Sequence, residues 1–89
     1  MTYQECVLTY ILEQYLRGET DEVTSAKIRL GAEEIALDNW LVYVIEIAYH
    51  ISYKKSLLLL KTSETTYKRM KKLVKDNLIK RLSEMETEE

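Results

Sequence analysis

Along the 89 residues, apolar side chains recur at helical rather than strand spacing. Behind Thr2-Tyr3-Gln4-Glu5, which has the S/T-x-x-E form of a capping box, Leu8, Ile11, Leu12 and Tyr15 fall three and four residues apart until Gly18. The spacing predicts a first helix over residues 3–17. The polar stretch GETDEVTS offers Thr20, Asp21 and Thr24 as caps for a second helix reaching about Asp38. Its stripe of Ile28, Ala32, Ile35, Ala36 and Leu37 is modest, and Gly31 within it costs about 1 kcal/mol of helix propensity relative to alanine.

Asn39 stands where it would cap a third helix, WLVYVIEIAYHI, which is apolar on nearly every side. A helix of that kind is buried all round. In so short a chain there is little protein to surround it. Trp40, Tyr43, Ile47 and Ile51 therefore read as core and also as the candidate surface for a second copy or another protein. Beyond them, Ser52 would cap a short helix carrying Leu57, Leu58, Leu59 and Leu60, a break falls at Lys61-Thr62, and Ser63 would cap a last helix. On that helix Tyr67, Met70, Leu73 or Val74, Leu78 and Leu82 fall on one side, with Lys68, Arg69, Lys72 and Lys75 largely on the other.

The expected fold is all-α, a small helical domain of about five helices. Residues 1–89 form one domain: an acidic helical part over 1–51, a helix-turn-helix over 52–82 and an acidic tail over 83–89. The absence of proline and the presence of two glycines argue against a turn-rich β fold, and a 46% hydrophobic content argues against disorder. A domain of this length buries roughly 60–65% of the surface its unfolded chain exposes, so a partner subunit would add to a small core. The lone Cys6 cannot form an internal disulfide, and the N-terminus lacks the basic-then-apolar order of a secretory signal, which makes the cytoplasm the expected location. Residues 40–51 are the most apolar stretch. Glu46 and His50 interrupt it and it falls short of the about 20 residues of a membrane span, so no membrane association is expected.

Charge changes the picture more than composition does. Residues 1–50 carry three basic and nine acidic side chains, residues 51–81 carry ten basic and two acidic, and residues 82–89 carry four glutamates, which together give the formal −2. Such segregation points to nucleic-acid contact, or else to an ordinary solvated face. Two short helices with a capped turn between them form a helix-turn-helix, whose second helix enters the major groove by its N-terminal end. That end offers unpaired N–H groups and partial positive charge to phosphate, and Ser63, Thr65 and Thr66 add hydroxyls. Arg69 is the candidate for base contact, with Lys68 and Lys72 beside it and Lys71 and Lys75 completing the DNA-binding set.

The stretch ISYKKSLLLLKTSETTYKRMKKL, residues 51–73, resembles the DNA-binding end of sigma-factor region 4, whose pattern is Leu-Ser-Tyr-x-x-Ile-Ala-x-x-Leu-Gly-x-Ser-x-x-Thr-Val. Ile51, Ser52, Tyr53, Leu60, Ser63 and Thr66 match it without insertion. The run of Thr66, Tyr67, Arg69, Met70, Lys71 and Lys72 is similar to the Thr-Tyr-x-Arg-Ile-Lys-Lys of phage late-transcription regulators of the ArpU and RinA type. The resemblance covers about a third of the chain. Ser56-Leu57 stands in place of Ile-Ala, and Lys61 in place of the turn glycine. A leucine at the small-residue position would push the two helices apart, and a lysine at the glycine position would be strained.

The resemblance implies a small transcription regulator of phage or mobile-element type that binds double-stranded DNA. A homodimer formed through the apolar helices would set two half-sites about 34–36 Å apart. Because region 4 also touches polymerase, the resemblance allows as an alternative a module that engages RNA polymerase or a host regulator without binding DNA itself. Enzymatic chemistry is not expected. His50 and Cys6 lie in different helices and cannot form a nucleophilic dyad or a zinc site, Glu33 and Glu34 point to different sides of a helix, and no phosphate-cradling glycine loop exists. No cofactor or metal is therefore expected.

Overall fold

The computed structural model describes residues 2–51 and 53–87, with the side chains of Tyr53 and of residues 84–87 outside that description. It is all helical, and no strand occurs among the described residues. Helix α1 (Tyr3–Leu16) starts at Thr2, whose hydroxyl accepts the Glu5 N–H at 3.1 Å. It ends through Gly18, whose φ of 74° suits the left-handed residue after a helix. Helix α2 (Glu22–Ala36) is capped by Asp21, whose carboxylate accepts the Thr24 N–H at 2.7 Å; this bonding holds the Asp21 carboxyl below its usual range. Thr20, one of the other candidate caps, is hydrogen-bonded to Ser25 instead.

A 3₁₀ turn over Leu37–Asn39 leads into α3 (Trp40–Tyr49). Asn39 lies in that turn and its side chain makes no capping bond, because the chain enters α3 already coiled and lacks the extended residue that a cap requires. Helix α3 ends at His50, an exposed residue in the left-handed region at φ 52°, whose N–H bonds the Glu46 carbonyl at 2.8 Å. Helix α4 (Tyr53–Leu60) and helix α5 (Glu64–Thr87) follow; the expected cap Ser52 lies outside the described residues. The helix of α5 runs through Thr87 rather than stopping near Leu82, since Ser-Glu-Met-Glu-Thr contains good helix formers and neither glycine nor proline to end it. With 24 residues it is about 36 Å long, close to the 41 Å length of the molecule.

The core is built from Leu8 and Leu12 of α1, Ile28, Ala32 and Ala36 of α2, Tyr43, Val44, Ile47 and Ala48 of α3, and Tyr67, Val74 and Leu78 of α5. Helix α3 supplies the largest share, in line with its nearly continuous apolar sequence. Gly31 is the point where α5 crosses α2. A Cβ there would come within 2.8 Å of Arg81 Cδ and 3.2 Å of Leu78 Cδ2, and Asn77 Nδ2 donates to the Gly31 carbonyl at 2.6 Å. The glycine that weakens α2 as an isolated helix thus allows the close approach that fixes α5 on it. Arg81 reaches across the same crossing to Glu34.

Candidate functional site

The turn between α4 and α5 is set by local chemistry. Lys61 ends α4 with its N–H on the Leu57 carbonyl at 2.9 Å and its backbone in the left-handed region at φ 53°. It therefore holds, as a lysine, a conformation that glycine would adopt without steric cost. Two residues later Ser63 Oγ accepts the Thr66 N–H at 3.2 Å and donates to Thr66 Oγ1 at 2.9 Å, which caps α5.

Beneath this turn lies a buried polar junction of three helices. Tyr67 of α5 is 1% exposed and stacks on Tyr43 of α3, with ring centroids 5.7 Å apart. Burial, with the Glu46 carboxylate adding to it, pushes the Tyr67 hydroxyl up to about 12, against a smaller opposing effect of Ser56. Burial also raises Tyr43. Ser56 of α4 is fully buried and Glu46 of α3 nearly so. The Tyr67 hydroxyl, Ser56 Oγ and Glu46 Oε2 are neighbours, yet none of the three meets hydrogen-bond geometry. Lys71 Nζ lies 2.6 Å from Glu46 Oε2, an ion pair off the hydrogen-bond direction that supplies the countercharge a buried carboxylate requires. In the sequence Glu46 stands out only as an interruption of the apolar stretch and Ser56 only as a departure from the sigma pattern, and neither is expected at a site.

The eight residues expected to meet DNA divide by orientation. Thr65, Lys68, Arg69 and Lys72 are exposed at three- and four-residue intervals, on one outward face at the start of α5. Lys68 lies 2.9 Å from Glu64. Arg69 and Lys72 have no ion-pair partner among the described residues. Ser63 and Thr66 spend their hydroxyls on the cap. Lys71 is turned inward to Glu46, and Lys75, half-buried, lines a small cleft with Lys71, Glu5, Thr9, Ile47 and His50 on the flank facing α1 and α3.

The stripe expected as core or partner surface is chiefly core. Tyr43 and Ile47 are 4% and 3% exposed, and Trp40 is half-buried with its ring 6.4 Å from that of Tyr15. Only Ile51 stands substantially exposed. Conversely, the four leucines of α4 are not one core segment: Leu57 and Leu60 pack on the core, whereas Leu58 and Leu59 point to solvent. Cys6 is exposed and free.

Among the described residues no group of three His, Cys, Asp or Glu side chains converges to hold a metal ion, and no helix is long and apolar enough to cross a membrane. No family model matches the chain, and neither a curated protein nor a solved structure matches it.

Proposed function

We propose that the chain is a small DNA-binding transcription regulator in which α4 and α5 act as a helix-turn-helix and the outward face at the start of α5 meets the major groove of double-stranded DNA. The observation that carries this reading is the turn. Lys61 holds the left-handed conformation at the glycine position of the sigma region 4 pattern, and Ser63 caps the following helix where that pattern has its serine. In this reading Thr65 and the N-terminal amides of α5 bond phosphate, Arg69 reads a base edge, and Lys68 and Lys72 neutralise backbone charge. The buried Tyr67, stacked on Tyr43, orients the helix that carries them.

A second reading, a module that engages RNA polymerase or a host regulator without DNA contact, draws on the thinning of the basic face. Lys71 is committed to Glu46, and Lys68 stands against Glu64.

Fluorescence anisotropy of a labelled duplex mixture, titrated with protein at two salt concentrations, separates the two. The DNA reading expects affinity that falls with salt by about 0.9 in log–log slope for each phosphate neutralised. It also expects Arg69→Ala/Lys72→Ala to remove binding while leaving the helical circular dichroism unchanged. A folded wild-type protein that binds no duplex at low salt rejects it in favour of the protein-binding reading.

A further inference from the structure

Two exposed apolar patches with opposite electrostatic settings stand on different elements of the chain. On α4, Leu58 and Leu59 are 78% and 70% exposed. Each lies one helical turn beyond an exposed lysine, Lys54 and Lys55 respectively, so one side of the helix presents a lysine pair followed by a leucine pair. Helix α4 contains no acidic residue, and neither lysine has an ion-pair partner among the described residues.

The second patch is the outer edge of α2. Leu30, Glu33, Glu34 and Leu37 line one open groove with Arg81, so the adjacent glutamates expected on different sides of the helix both border it. Leu30 is 52% and Leu37 69% exposed. Arg81 is bound to Glu34, which leaves Glu33 and the exposed Asp38 with no ion-pair partner among the described residues. Leu37 also has φ 50° and ψ −126°, a backbone conformation that L side chains rarely adopt, and in it the leucine is held outward. Its backbone closes α2 and opens the 3₁₀ turn, its N–H bonding the Glu33 carbonyl and its carbonyl accepting the Trp40 N–H, while its side chain is left to solvent beside the unpaired acids.

We propose that these patches are the two halves of one head-to-tail contact between copies of the chain. Leu58 and Leu59 of one copy seat against Leu30 and Leu37 of the next, and Lys54 and Lys55 pair with Glu33 and Asp38. Charge complementarity selects the occupant: the basic side and the acidic side each lack a partner within the subunit, and each offers what the other lacks. The proposed contact is head-to-tail between two different surfaces, so its repetition adds further copies, as a ring or an open array. The contact uses none of Thr65, Arg69 and Lys72, and it does not depend on whether that face binds DNA.

Sedimentation equilibrium over a concentration series tests it. The wild-type protein is expected to grow beyond a dimer as concentration rises, and less so at high salt. Leu58→Ser/Leu59→Ser and Glu33→Lys/Leu37→Ser are each expected to remain monomeric alone, whereas their 1:1 mixture forms a dimer and stops there, since each variant keeps a different intact patch. As a control that touches no buried atom, Lys54→Glu/Lys55→Glu is expected to be monomeric and to regain association when Glu33→Lys/Asp38→Lys is added in the same chain. A wild-type protein that stays monomeric throughout, one that closes as a dimer, or a 1:1 mixture that shows no dimer would overturn the proposal.

Discussion

The two ends of α5 are held by different physics. Its C-terminal part lies on α2 mainly through close apolar contact, with Leu78 fully buried and Gly31 leaving room for the Leu78 and Arg81 side chains, and the Asn77 hydrogen bond and the Arg81–Glu34 pair flank that contact. Its N-terminal part is anchored to α3 and α4 through Tyr67, Ser56, Glu46 and Lys71, a junction that is buried but polar and imperfectly bonded. Apolar contact of the first kind depends on volume and tolerates little change in it. A polar junction fixes orientation instead, and responds to the loss of either partner by leaving a buried group uncompensated. The end of α5 assigned here to DNA is thus the end whose direction is set by charge and aromatic stacking.

The largest effects should separate the two ends by how they are rescued. Leu78→Ala is expected to cost about 3 kcal/mol in chemical denaturation, through lost burial and a cavity. Lys71→Met should cost roughly as much by stranding Glu46. Adding Glu46→Gln to Lys71→Met should then recover much of the loss, whereas no charge change elsewhere should restore Leu78→Ala. Equal failure of both rescues would erase the distinction.

A smaller effect is expected at the turn. Lys61→Gly should raise stability by about 1 kcal/mol, because glycine takes the left-handed conformation without the penalty that lysine meets. A loss of stability would show that the φ of 53° is not the conformation held in solution.

The smallest effect at neutral pH, and the most specific, concerns Tyr67. Its hydroxyl has no well-formed hydrogen bond, so Tyr67→Phe should change stability by less than about 1 kcal/mol at neutral pH. Because folding raises this hydroxyl from the ordinary 10 to about 12, its neutral form is favoured in the folded state. Its contribution is complete below pH 10 and is lost as pH rises toward 12. Thermal melts should therefore show the wild type falling more steeply than Tyr67→Phe across that window. Parallel curves would mean that the hydroxyl is not buried as described.

Much of this arrangement was legible because it is local. The caps Thr2, Asp21 and Ser63, the stop at Gly18 and the break at Lys61 each depend on residues within four positions of one another. What sequence could not reveal depends on which elements meet. Four consecutive leucines look equally apolar, yet only the crossing of α4 over the bundle decides that Leu57 and Leu60 face inward while Leu58 and Leu59 do not. Gly31 reads as a defect in α2 until α5 is laid across it. Lys71 reads as one cation of a basic face until Glu46 appears beneath it, and Tyr43 and Ile47 read as core with a partner surface as the alternative until their burial is known.

The most direct test of the central claim is to record amide and side-chain NMR shifts of the labelled protein as duplex DNA is added at low salt. Perturbations are expected to concentrate at Thr65, Lys68, Arg69 and Lys72, with the α2 edge at Leu30 and Glu33 unmoved at protein concentrations too low for self-association. Perturbations that spare the start of α5, or that spread evenly over every exposed lysine, would contradict the claim.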